Sequence, residues 1–198
     1  QCRVFQINSA DAAINVAINN LTITRARLTS AGQGAGASIA INNGGAANFT
    51  AFLTLNNVAI TRAVGNYNIN CNDNCDLTVN NSYIGNNSNA PISINDFLSD
   101  DNLVINNSTI ENNVSGADGL INVGGHSVTV TNSTISDNVV GNNGIFRISL
   151  DPNDTFDMTN TTIARNRGGL GAAIGLSGGG TTSIANLTNV TIANNYSG

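Results

Sequence analysis

An eleven-residue pattern recurs along the chain: apolar-x-apolar-x-Asn-small-x-Ile-x-x-Asn. It is clearest at residues 77–87 (LTVNNSYIGNN), 103–113 (LVINNSTIENN), 128–138 (VTVTNSTISDN) and 156–166 (FDMTNTTIARN). Residues 185–195 and 53–63 follow it more loosely, and 21–31 (LTITRARLTSA) reads as a degenerate first copy. Aligned on the late apolar residue, the seven copies set Leu28, Ile60, Ile84, Ile110, Ile135, Ile163 and Ile192 in register, 24 to 32 residues apart. One supersecondary unit repeated at this period means a stacked array rather than a globule around one centre.

Inside each copy the apolar residues alternate with period two, the mark of a strand with one buried face. Leu103 and Ile105 are expected to point inward, Asn107 to turn the chain, and Ser108 and Ile110 to point inward again. A second alternating segment follows in each period: Ile39/Ile41, Ile69/Cys71, Ile92/Ile94, Ile121/Val123, Phe146/Ile148 and Ile174/Leu176, with Ile14/Val16 heading the series. Three short strands per period, separated by Gly, Asn and Asp, describe one coil of a β-solenoid. A lone coil cannot bury its apolar side. Seven, stacked at the ~4.8 Å strand spacing, share a continuous core in a rod of about 35 Å.

Composition agrees. Asn occurs 37 times, Ile and Gly 21 times each, Lys and Trp never, and Glu once (Glu111); charged residues make up 10%. Helices favour Ala, Leu, Glu, Lys and Gln; this chain, without Lys and with a single Glu, is instead rich in β-branched residues and turn formers. The expected fold is all-β, a parallel β-helix of about seven coils of 24–32 residues forming a single domain over 1–198. Residues 1–20 are expected to form an N-terminal strand and partial coil, 21–195 the seven copies, and 196–198 a tail. Like residues then lie above like. Asn57, Asn81, Asn107, Asn132, Asn160 and Asn189 fall at one turn, as an Asn ladder, and Asn87, Asn113, Asn138, Asn166 and Asn195 at another. Replacing Asn107 or Asn132 is expected to leave inward-facing amides unpaired, at about 1–3 kcal/mol each.

The units NNSTIENN, TNSTISDN, TNTTIARN and TNVTIANN resemble those of secreted right-handed parallel β-helix proteins. The likeness in style is to the choice-of-anchor extracellular families and the passengers of polymorphic outer-membrane proteins, over roughly residues 21–195. It implies a right-handed coil, in keeping with the hand of parallel crossovers, and a surface or extracellular location. It says little about activity, because the architecture hosts lyases, hydrolases, adhesins and structural proteins alike.

Several chemistries can be weighed from residue types. A net charge of −5, with seven Arg scattered, gives no basic stripe for nucleic acid, and no apolar run is long enough to insert in a membrane. Cys71 and Cys75 are spaced to close a small loop as a disulfide, or less readily to serve as half of a metal site that no second pair completes. Cys2 is left over and is a candidate intersubunit link. Acids gather in the turns before the repeats: Asp73 and Asp76, then Asp96, Asp100 and Asp101, then Asp151, Asp154 and Asp157, with His126 in a coil between. Asp96, Asp100, Asp101, Asp151 and Asp154 are weak candidates for Ca²⁺, against the plainer reading that Asp is a turn residue. With no Lys and one His, a lyase or hydrolase is disfavoured; no cofactor and no catalytic residue is expected.

Threonines at 22, 24, 54, 78, 129, 131, 159 and 188 are expected on one outer face and those at 109, 134, 162 and 191 on the next. Val104 and Asp157 interrupt the first array, Arg27, Ala59 and Tyr83 the second. Thirteen Asn-x-Ser/Thr triplets are mostly a by-product of the repeat; Asn48 and Asn153, in loops, are the better glycosylation candidates. A chain opening at Gln1 reads as a mature secreted form with its leader removed. Neither end of the repeat array carries a recognisable capping helix or Lys-rich edge, so the ends are expected to pair with copies of themselves. The expected function is a subunit of an extracellular fibre. The alternative is a monomeric adhesin or polysaccharide-binding module.

Overall fold

The structure, a computed structural model, describes residues 4–8, 12–28, 37–42, 50–72, 74–95, 102–116, 119–125, 127–169, 172–178 and 182–198. Among these every regular element is a strand and the strands pair in parallel. The B sheet stacks Ile14–Asn19, Ala51–Asn56, Cys75–Asn80, Asn102–Asn106, Ser127–Thr131, Thr155–Thr159 and Ile184–Thr188. The C sheet stacks Thr22–Thr24, Ala59–Thr61, Tyr83–Gly85, Thr109–Glu111, Thr134–Ser136, Thr162–Ala164 and Thr191–Ala193. The A sheet begins as Phe5–Asn8, Ile39–Asn42, Val64–Asn72 and Ser88–Asn95. It then divides into Val114–Ser115, Val139–Val140, Arg167–Gly168 and Tyr196–Ser197 on one branch and Ile121–Gly124, Phe146–Leu150 and Ile174–Gly178 on the other. Each coil runs from B through a tight turn to C, through a second to A, and back to B one level up.

Register puts like on like. Leu53, Leu77, Leu103, Val128 and Phe156 form one inward column, and Leu55, Val79, Ile105, Val130 and Met158 a second. Ile60, Ile84, Ile110, Ile135 and Ile163 form a third, in the C sheet. All fifteen are at most 1% exposed. Full burial of such side chains contributes about 1.5–3 kcal/mol each, so the columns are the main stabilising term. In the later coils Phe146 and Phe156 pack edge to face, with ring centroids 5.6 Å apart.

The first copy is shifted from the expected register. Ile23, not Leu28, pairs with Ile60, and Val16 and Ile18 stack under Leu53 and Leu55. The first copy is therefore residues 16–26 (VAINNLTITRA), 37 residues from the second, so coil 1 begins inside the segment assigned to an N-terminal partial coil. Ile14/Val16 belong to the B sheet. The strand heading the A sheet is Phe5–Asn8, which pairs with Ile39–Asn42. Thr22 and Thr24 accordingly sit in the C sheet with Ala59 and Thr61, not with Thr54 and Thr78. Arg27 lies in an isolated bridge to Val64, outside the threonine array it was expected to interrupt.

Both tight turns are closed by polar columns inside the rod. After the first turn, Ser82, Ser108, Ser133 and Thr161 point inward and are 1–5% exposed. Each hydroxyl accepts from the backbone N–H one coil earlier and donates to the carbonyl two residues before it. After the second turn, Asn87, Asn113, Asn138 and Asn166 are 0–2% exposed. Asn113 Oδ1 accepts from the Asn87 N–H at 3.1 Å and from Asn87 Nδ2 at 2.9 Å, while Asn113 Nδ2 donates to the Ile84 carbonyl at 3.0 Å. The same bonds repeat up to Asn195. At the A-to-B connection from the second coil to the third, Cys71 and Cys75 are disulfide-bonded, as their spacing suggested.

Candidate functional site

The outer surface of the first corner is built on a left-handed turn. Asn20, Asn57, Asn81, Asn107, Asn132, Asn160 and Asn189 all have φ of 47–56°, a conformation Asn tolerates better than other residues with a Cβ. This geometry reverses the side-chain phase. The asparagine faces solvent and the small residue after it takes the inner place. The six asparagines expected as an inward ladder, Asn57 to Asn189, are therefore an exposed one, and the buried ladder is the Asn87–Asn195 set. The outer amides do bond between coils: Asn57 Nδ2 to Asn20 Oδ1 at 2.8 Å, Asn107 Nδ2 to Asn81 Oδ1 at 2.6 Å, Asn160 Nδ2 to Asn132 Oδ1 at 3.2 Å and Asn189 Nδ2 to Asn160 Oδ1 at 3.1 Å. A second outer row beside it, Asn19, Asn56 and Asn80, bonds likewise.

The outer ladder is interrupted between Asn57 and Asn81, and again above Asn107, where Asn132 Nδ2 reaches Asn106 Oδ1 instead. Along this stretch runs an open groove of about 420 Å³, lined by Asn20, Leu21, Thr22, Asn57, Val58, Ala59, Asn81, Ser82, Tyr83, Asn107 and Thr109. None of these residues is charged. Tyr83 stands out as the groove's aromatic. Its ring folds along its own strand over Gly85, where any Cβ would collide with ring atoms. The Tyr83 hydroxyl donates to Glu111 Oε1 at 3.1 Å and accepts from Asn86 Nδ2 at 3.0 Å. Burial first, then the Glu111 carboxylate as hydrogen-bond partner and as charge, raise the hydroxyl above the ordinary value of 10.0; the Asn86 amide opposes them. In the sequence Tyr83 figured only as a break in a threonine array. The readable signal was the Tyr-x-Gly spacing, which puts ring and glycine on one outer face.

At the second corner the left-handed positions are Arg25, Arg62, Asn86, Asn112, Asp137, Arg165 and Asn194. Arg165 grips Asp137 one coil below with two bonds, Nε to Oδ1 at 2.8 Å and Nη2 to Oδ2 at 2.6 Å. That grip holds the Asp137 carboxyl below its ordinary value and raises the Arg165 guanidinium.

Of the acidic residues in the turns before the repeats, the described Asp76, Asp154 and Asp157 have carboxylates engaged locally. Asp76 Oδ1 accepts from the Asn102 backbone at 2.7 Å, Asp154 Oδ2 from the Asp151 N–H at 2.9 Å and Asp157 Oδ1 from Asn186 Nδ2 at 2.7 Å. Among the described residues no three His, Cys, Asp or Glu side chains come together as a metal-binding group. Asp73, Asp96, Asp100, Asp101, His126, Cys2 and Asn48 lie outside the described residues. Asn153 is exposed at a turn with φ of 76°, its Oδ1 accepting from Thr182 Oγ1 at 3.1 Å. Asn113, another triplet asparagine, is wholly buried.

No protein-family model matches the chain, and neither a curated protein nor a solved structure matches it. The site is therefore defined by its own geometry.

Proposed function

We propose that the protein is a secreted structural protein, a β-solenoid rod that stacks head to tail on copies of itself into an extracellular fibre. The observation that carries this reading is the complementarity of the first and last described coils. The last coil supplies a B strand, a C strand and the Tyr196–Ser197 segment. Among the described residues nothing pairs on the open edge of Ile174–Gly178 beneath the place of its second A strand. At the other end Phe5–Asn8 is such a strand, paired on one side only. Continued in register, Phe5 and Ile7 of a second copy fall on Ile174 and Leu176, Ile18 on Leu187, Ile23 on Ile192 and Asn20 on Asn189.

The exposed residues at the joint are those such a contact would bury. Leu176, Leu187 and Ile192 are 41%, 46% and 48% exposed, whereas Ile148, Met158 and Ile163 one coil below are at most 1% exposed. None of the strands on these edges carries a charge, so the usual guard against edge-to-edge addition is missing from them. Repeated heterologous contacts of this kind give an open filament. The Cys71–Cys75 disulfide supports an oxidising, extracellular setting, and the repeat units support kinship with the secreted choice-of-anchor-like β-helices. The reading is non-enzymatic: Asp76, Asp137, Asp154 and Asp157 serve turns and ladders.

Negative-stain electron microscopy of the purified 198-residue chain tests it. Filaments with an axial repeat of about 34 Å, seven coils at ~4.8 Å, are expected, and Leu187→Asp should abolish them. Isolated rods at every concentration, or filaments indifferent to Leu187→Asp, overturn the proposal. Loss of the filaments in Cys2→Ser, with Cys71 and Cys75 untouched, would assign Cys2 a covalent part in the joint.

A further inference from the structure

We propose that the groove across coils 1 to 4 binds a neutral, extended oligosaccharide, with Tyr83 as its stacking platform and the asparagine corner as its hydrogen-bonding wall. The ring is fixed before any ligand arrives. It lies over Gly85 and its hydroxyl is held by Glu111 and Asn86, so little side-chain entropy is lost when its free face is covered. Ala59 precedes it in the same C-sheet column and is small, which opens the groove beside the ring.

The polar wall is partly unused. Asn57 Oδ1, Asn81 Nδ2 and Asn107 Oδ1 have no protein partner among the described residues, because the outer ladder breaks on either side of Tyr83. They are an acceptor, a donor and an acceptor, in successive coils at the ~4.8 Å rise. A pyranose ring has a C–H face that packs on an aromatic ring and a rim of hydroxyls that both donate and accept, which side-chain amides match. An extended β-linked chain advances by a similar step per sugar, so it can follow the rod axis and meet one rung after another. The lining offers no cation to a uronate or phosphate polymer, and so the ligand is neutral. An aromatic surface with a few convergent polar groups is the usual composition of a small-molecule site.

Isothermal titration of the full chain with cellohexaose, xylohexaose, mannohexaose and chitohexaose, beside hexagalacturonate, tests the assignment. At least one neutral hexasaccharide is expected to give saturable heat, with affinity reduced about tenfold or more by Tyr83→Ala. Ala59→Arg, which fills the groove and leaves the ring's own contacts in place, should act alike, with folding of both variants checked by circular dichroism. Repeating the titration in Leu187→Asp separates binding from fibre formation. No saturable heat from any neutral sugar, binding of hexagalacturonate alone, or unchanged affinity in either folded groove variant overturns it.

Discussion

At the residue scale, two asparagines six positions apart in one repeat have opposite fates, and the backbone decides which. Asn107 occupies the left-handed turn and faces water; Asn113 follows the second turn and is sealed in the core, bonded to Asn87, Asn138 and the Ile84 carbonyl. Removing the Asn113 amide strands several buried polar groups at once, each worth about 1–3 kcal/mol when left unpaired. Asn113→Ala should therefore lower the unfolding free energy by about 3 kcal/mol or more. Asn107→Gly keeps the left-handed turn and loses one exposed bond, so it should change it by less than about 1 kcal/mol. Urea titration of both decides. Equal losses would mean that the inner amides carry no special burden. Tyr83 gives a second residue-scale test, through pH. Its raised value means that the protonated phenol is favoured by the fold. The stabilisation it contributes is whole below the unfolded value near 10.0 and is lost as pH rises through the higher folded value. In an ultraviolet difference titration the component removed by Tyr83→Phe should ionise above 10.0, and Glu111→Gln should bring it down. A component that ionises at or below the ordinary value contradicts the clamp.

At the scale of strands and coils, the copies were readable wherever the repeat is undiluted, because period-two burial and a turn asparagine act on the same few residues. The columns through Leu103, Ile105 and Ile110 and the alternating A-sheet pairs from Ile39 onward needed nothing more. The first copy misled for a physical reason. Residues 14–28 contain two alternations of opposite phase, Ile14-Val16-Ile18 and Leu21-Ile23, with Arg25 in the second left-handed turn, a position that Arg62 and Arg165 share and that Asn or Asp holds in the other four coils. Only strand pairing across 37 residues chooses between them. The inside-outside phase of the asparagines was not legible either, since a left-handed residue shifts the phase without altering the sequence period. Nor did the sequence announce the buried polar atoms in and beside the A sheet: among the described residues, Ser38 Oγ, both amide atoms of Asn68, and Ser93 Oγ have no hydrogen-bond partner. Asn68 is fully buried within Val64–Asn72. Replacing an unpartnered buried amide by an apolar side chain of similar size removes its desolvation penalty, so Asn68→Leu should raise stability by about 1–3 kcal/mol. A fall in the denaturation midpoint instead would show that the amide is satisfied in solution, as by a trapped water.

For the whole molecule the inner ladder defines a polarity that the proposed fibre must respect. Along the rod each ladder residue's N–H donates to the Oδ1 one coil ahead, and each Nδ2 donates back to an isoleucine carbonyl. In the last coil Asn195 Nδ2 reaches Ile163 as usual, but the Asn195 N–H has no acceptor ahead of it among the described residues. In a head-to-tail joint the residue arriving there is Ala26 of the next copy, which has no amide to offer. Ala26→Asn would supply one. Its Oδ1 would accept from Asn195, and its Nδ2 would donate to the Ile192 carbonyl, bonds that exist only across the joint. Two or three hydrogen bonds of about 0.5–1.5 kcal/mol correspond to a concentration threshold for assembly lowered about tenfold or more. In the free rod the new amide sits at the terminal coil and gains no such partners, so the stability of the isolated rod should not rise in step. Light scattering against protein concentration reads the threshold, and melting of the Leu187→Asp, Ala26→Asn double variant reads the rod alone. A threshold that is unchanged or higher in Ala26→Asn, with the rod itself intact, would mean that copies do not continue the ladder from Asn195 to position 26, and stacking in register would fall with it.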